Sequence, residues 1–217
     1  MLNLNRTPCA GTLAVFLAAA LCGWTSLHAS LLNSGASLTM SSASVAPGAH
    51  VVAVNTFHFD TAFFSGQLLS KVWEGDASNP FGGLTFTFKL VNPANCATPI
   101  ERFTLGGFAG TLTDVGYSGP SVAPRTADRS LSGDLISFNF VNRHEKATLL
   151  PGQNSAWLVI RTDADCWNPS TLVLLNSQVQ LADTFAPTSV PEPTTLALLA
   201  AGLLAAQWSR RAARPVS

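Results

Sequence analysis

Between Leu84 and Val91 the chain reads Leu-Thr-Phe-Thr-Phe-Lys-Leu-Val, which places Leu84, Phe86, Phe88 and Leu90 on one side and Thr85, Thr87 and Lys89 on the other. Successive side chains alternate between the faces of a β-strand, so this pattern demands a sheet with one buried and one wet surface. Val51 to Asp60, Arg102 to Leu105, Thr111 to Tyr117, Leu135 to Val141, Ala156 to Thr162, Leu172 to Leu175 and Gln178 to Leu181 are the other candidate strands. Turn residues separate them: Asn79-Pro80, Asn92-Pro93, Gly106-Gly107, Ser118-Gly119-Pro120, Pro151-Gly152 and Asn168-Pro169. No amphipathic helix of useful length lies between, and no internal repeat suggests a solenoid or propeller. Short strands at regular spacing predict an all-β body, a β-sandwich. Strand order is not legible in one sequence, so a barrel or jelly roll stays open.

The 217 residues have a mean hydropathy of +0.28, high for a soluble domain, and the excess sits at the two ends. Arg6 precedes a small-and-apolar run from Gly11 to Cys22, with Ala29 supplying a small residue for cleavage. That run is too short to span a bilayer core, which takes about 20 residues, and residues 1–29 read as a secretory signal peptide. A lipoprotein signal would use Cys22, but Leu21 stands before it in place of a small residue.

At the other end Val190-Pro191-Glu192-Pro193 is succeeded by an uncharged stretch, Thr194 to Trp208, and then by Arg210, Arg211 and Arg214. The prolines discourage helix up to Pro193, so an apolar helix over 194–208 begins abruptly, and the arginines act as a membrane stop on the cytoplasmic side. That helix would rise about 22 Å, a mismatch with the bilayer that local thinning accommodates.

Residues 190–217 closely resemble the PEP-CTERM sorting signal of Gram-negative bacteria that make exopolysaccharide. The Pro-Glu-Pro motif, the apolar helix and the basic cluster occur together and in order, although Ala212 and Ala213 interrupt the cluster. The resemblance implies a transient partner, an exosortase at the inner membrane, acting near Pro191, Glu192 and Pro193. It implies release or transfer of the mature protein to the cell surface or matrix, with exopolysaccharide or other matrix components as further partners. A weaker resemblance rests on Gly83 to Asn92 and Leu149 to Ala164, which are similar to uncharacterised PEP-CTERM proteins with an immunoglobulin-like body. It lends no catalytic residue.

These readings divide the chain into a signal peptide (1–29), a flexible Ser- and Ala-rich lead-in (30–48), a β-sandwich (49–183), a Pro-containing spacer (184–189) and the sorting signal (190–217). Residues 30–189 carry 8 basic and 11 acidic side chains, a net −3, which argues against a nucleic-acid partner. Cys9 and Cys22 leave with the signal peptide, so Cys96 and Cys166 are the expected disulfide of the exported body. Such a bridge would contribute on the order of 4 kcal/mol in the chain-entropy model.

Parts for an enzyme are sparse, and the expectation is a protein with no catalytic residue, cofactor or metal. His144-Glu145 begins like a zinc-protease helix, but Thr148 occupies the second ligand position. No Gly-x-Ser-x-Gly elbow or phosphate-binding Gly-x-x-x-x-Gly-Lys occurs. His58 and Asp60 share a strand face with no nucleophile placed, and Asp60, Asp76, Asp163 and Asp165 near turns offer a weak calcium set lacking the spacing of an EF-hand loop. Among the aromatics, Trp157 sits in an apolar strand and reads as core, whereas Trp73 and Trp167 flank polar turns and are the candidate glycan contacts. The leading expectation is an exported, non-enzymatic structural or adhesive protein, and the alternative is an exported carbohydrate-binding or carbohydrate-active module.

Overall fold

The computed structural model describes residues 31–60, 64–141, 148–176 and 178–188. The signal peptide, His144-Glu145, the Pro-Glu-Pro motif, the 194–208 helix and the terminal arginines lie outside the described residues. Within them there is no helix, and no candidate membrane-crossing helix.

The described residues form twelve strands: β1 (Ser37–Thr39), β2 (His50–Asp60), β3 (Ser65–Glu74), β4 (Thr85–Asn92), β5 (Arg102–Leu105), β6 (Thr113–Ser118), β7 (Thr126–Arg129), β8 (Ile136–Asn139), β9 (Gln153–Asn154), β10 (Trp157–Thr162), β11 (Cys166–Leu175) and β12 (Gln178–Thr188). They build two antiparallel six-stranded sheets. The first runs β1-β7-β8-β5-β11-β12, and the second runs β2-β3-β4-β10-β6 with β9 beside β4.

Alternation explains how the sheets meet. Phe86, Phe88 and Leu90 of β4, with Leu158 and Ile160 of β10, point inward from the second sheet and are fully buried. Phe103 and Leu105 of β5, Ile136 and Phe138 of β8, and Val173 and Leu175 of β11 face them from the first sheet in one continuous core. Phe88 meets Phe103 across the layers, with ring centroids 6.4 Å apart. Burying each such side chain contributes about 1.5–3 kcal/mol, so two facing apolar stripes suffice to hold the sheets together.

β10 extends toward β9 through a bulge in the ladder with β4. Leu158 pairs with Phe88, while Asn154 pairs with Val91. Ser155 fills the gap: its N–H donates to the Leu90 carbonyl at 2.9 Å, and its hydroxyl accepts from the Leu90 N–H at 2.9 Å.

Four expectations need correction. The lead-in is ordered from residue 31: Leu32 is fully buried, Ser37–Thr39 forms β1 against β7, and Ser42 bridges Tyr117. Residues 184–188 of the spacer are strand, because β12 continues to Thr188. Asn168-Pro169 is inside β11 and not a turn, with Pro169 paired to Phe185. β5 meets β11 at Val173–Leu175, so among the described residues Pro169 has a sheet neighbour on one side alone, where a residue without an N–H fits.

The fourth correction is the disulfide. Cys96 is a buried free thiol whose Sγ donates to the Thr98 carbonyl at 3.4 Å, and Cys166 is not its partner. Cys96 lies beyond the end of β4, whereas Cys166 lies just past the residues that pair with its beginning, since Leu84 N–H bonds the Ala164 carbonyl. The length of β4 separates them, about 25 Å at a strand's rise per residue, and a disulfide requires Cα atoms within about 7 Å.

Candidate functional site

The second sheet turns an outer face to its surroundings, built from the odd-numbered residues of β3, β4 and β10. Lys71 pairs with Thr87, Trp73 with Thr85, and Val159 with Thr87, so these side chains share that face. Trp73 reaches along β4, its Nε1 donating to Thr87 Oγ1 at 2.8 Å. Lys71 Nζ lies 5.6 Å from the Trp73 ring centroid and 4.9 Å from that of Trp157, and Lys89 Nζ approaches Trp157 from 5.8 Å. A diagonal band thus crosses three strands: Trp73, Lys71, Trp157, Lys89. All four are half-buried. Neither lysine has a carboxylate partner among the described residues.

Trp157 is therefore a surface residue, contrary to the core position expected from its apolar strand. In period-two logic Leu158 and Ile160 take the inward positions, which leaves Trp157 outward. Trp167, the other candidate glycan contact, is partly buried against the core and packs edge-on to Phe185 at 5.0 Å. Of the two tryptophans singled out in the sequence, Trp73 alone belongs to the band, and Trp157 is the partner that the sequence does not reveal.

Beside the band, at the far end of β10, lies a buried ionic cluster. Arg161 Nη1 donates to Asp114 Oδ2 at 2.9 Å, Arg161 Nε lies 3.9 Å from Asp76 Oδ2, and Nη2 donates to the Ser44 carbonyl and to Ser78 Oγ. Asp76 accepts from Ala46 N–H, from Ser78 N–H and Oγ, and from Thr85 Oγ1. Burial pushes the Asp76 carboxyl up, but the Ser78 hydroxyl, Ala46 N–H, Thr85 hydroxyl and Ser78 N–H outweigh it and hold the group below its ordinary value. Ser44 and Ala46 belong to the lead-in, so the cluster pins that segment over the sheet. Next to it, a Cβ on Gly116 would come within 2.3 Å of the Ala43 Cβ, so the crossing depends on a glycine there.

A second buried cation, Arg129, points between the sheets at the end of the sandwich. Its guanidinium donates to four carbonyls, those of Leu32, Phe108, Thr111 and Gly133, at 2.8–3.1 Å. Burial pulls its pKa below the ordinary arginine value, with Asp163 acting in the opposite direction.

On the outer face of the first sheet, Ser37, Glu101, Arg102, Arg125, Thr126 and Asp128 line part of a shallow groove of about 530 Å³. Its centre is tied up internally: Asp128 accepts from Ser37 Oγ at 2.6 Å and from Asn139 Nδ2 at 2.7 Å, and Arg102 lies 3.7 Å away. His58 and Asp60 are exposed on β2, and His50 meets Glu74 at 3.2 Å in an exposed pair. Of the carboxylates considered for calcium, Asp76 is committed to the Arg161 cluster and Asp163 accepts the Leu112 N–H at 2.9 Å. Among the described residues no three His, Cys, Asp or Glu side chains converge on a metal-sized site.

The last strand of the first sheet ends at Thr188, and the segment that decides the assignment begins at the very next residue. Residues 189–211 match the PEP-CTERM protein-sorting motif. The motif implies an exported protein sorted through an exosortase, its processing partner. No curated protein and no solved structure matches the chain.

Proposed function

We propose that this chain is an exported, non-enzymatic protein with an immunoglobulin-like sandwich, delivered through its PEP-CTERM tail to the cell surface or extracellular matrix, where it serves a structural or adhesive role. The observation that carries the reading is the position of the sorting motif, directly behind the last strand of the sandwich. The buried charged side chains Arg161, Asp76, Asp114 and Arg129 are engaged in fastening segments together: the first three hold the lead-in, and Arg129 holds three loops. The test is the mass and location of the protein in its host, with and without exosortase activity. Loss of the tail near Pro191 and appearance outside the cell, both abolished without the exosortase, are expected. An intact tail retained in the inner membrane of both strains would overturn the proposal.

A second reading, a carbohydrate-binding module, is favoured by the outer band of Trp73, Lys71, Trp157 and Lys89. Two half-exposed indoles on one sheet surface, covered by the mobile ends of lysine side chains, offer apolar contact for sugar rings once those ends move aside, while the Trp73 indole N–H is already satisfied by Thr87.

A further inference from the structure

We propose that the outer face of the second sheet binds an acidic polysaccharide, one whose sugar rings bear carboxylates, through Trp73 and Trp157 as stacking surfaces and Lys71 and Lys89 as carboxylate partners. The proposal rests on the carbohydrate-binding reading and narrows it to a ligand class and a location.

Three observations converge. Both ammonium groups stand within 6 Å of the Trp157 ring, so two positive charges are held in one small region. Those cation–π contacts are worth about 0.5–1 kcal/mol each at exposed sites, weak enough for a sugar carboxylate to draw the ammoniums off the indoles and free the ring faces for stacking.

Charge on the rest of the molecule sharpens the contrast. The body is acidic overall, yet Asp76 and Asp114 beside the band are buried against Arg161, so the one negative charge left over in that cluster is held away from the surface. The acidic groups of β2 and β3, Asp60 and Glu74, sit at strand ends, and Glu74 pairs with His50. The lysines are thus two accessible positive charges without carboxylate partners among the described residues, complementary to a polyanion.

Geometry supplies the sugar. Lys71 touches both rings, at 5.6 and 4.9 Å from their centroids, which brings the two indoles within reach of one short oligosaccharide. Exposed Val54, opposite Lys71 on β2, widens the apolar floor at one margin. A flat sheet face with stacking rings and cations between them suits an extended chain of acidic sugars better than a compact ligand, which would need a concave site.

The experiment is affinity electrophoresis of the full chain in mild non-ionic detergent, through gels containing polygalacturonate, neutral dextran or polyglutamate. Retardation by polygalacturonate, weakened about tenfold or more in Lys71→Gln/Lys89→Gln and in Trp157→Ala with unchanged melting temperature, is expected, a tenfold change being about 1.4 kcal/mol. Raising the salt concentration should reduce it. Equal retardation by polyglutamate would show a charge effect without sugar recognition and overturn the proposal. Retardation by dextran alone would overturn it while leaving the carbohydrate-binding reading standing, and no retardation in either polysaccharide would overturn both.

Discussion

Arg161 and Arg129 are both buried, but they are compensated by different means. Arg161 has two carboxylates, and removing it leaves Asp76 and Asp114 uncompensated in a dry environment. Arg161→Ala should therefore cost about 3–5 kcal/mol in urea denaturation, the range for breaking a buried pair from one side. Asp76 adds a pH signature. Its folded-state pKa lies below the ordinary 3.8, so its contribution to stability is complete above that value and is lost as the pH falls through the folded-state value. Stability measured from pH 6 to pH 2 should fall less steeply in Asp76→Asn than in the parent chain, with the difference developing below about pH 4. Cys96 belongs to this scale too: buried and unbridged, it should resist thiol reagents in the folded protein and react on denaturation, as intact mass after labelling will show.

At the level of strands, alternation is the legible signal. Leu84, Phe86, Phe88 and Leu90 share one face by pattern and all four are buried, and β5 runs over the expected residues Arg102–Leu105. The long strand β3 is hidden in the sequence because its apolar residues fall at Leu68, Leu69, Val72 and Trp73, a spacing that lacks a period of two. Leu69 and Trp73 face outward there, so the same departure that hides the strand marks the candidate site. Trp157 is deceptive for a related reason: apolar composition identifies a strand but not which of its apolar members faces the core. The disulfide expectation fails because compartment and count say nothing about which end of β4 each cysteine occupies. Neither the lead-in nor β1 carries a strong pattern, and their order comes from long-range partners such as Arg129 and Arg161.

The bulge at Ser155 can be tested at this same scale. Ser155→Ala removes the acceptor of the buried Leu90 N–H, and an unsatisfied buried donor costs about 1–3 kcal/mol, readable as a lower denaturation midpoint with unchanged slope. Ser155→Gly should be at least as damaging, since it loses the same hydroxyl and adds chain entropy.

For the molecule as a whole, the folded unit reaches beyond the boundaries drawn from composition. It runs at least from Leu31 to Thr188, so a chain beginning at Ala49 lacks Leu32 from the core and the lead-in groups that meet Arg129, Arg161 and Asp76. Deleting residues 31–48 should lower the thermal midpoint sharply or prevent folding, measurable by circular dichroism.

The strand that ends at Thr188 also sets how the molecule bears a load. β12 is zipped to β11 from Leu175 and Gln178 to Cys166 and Thr188, and the tail leaves from its final residue. A pull on the tail along the strand axis acts on the ladder in shear, so its hydrogen bonds share the tension instead of opening one after another. While the tail is attached, the chain end that directs sorting is thus also where a pull on it would enter the sandwich, through one of its two longest strands.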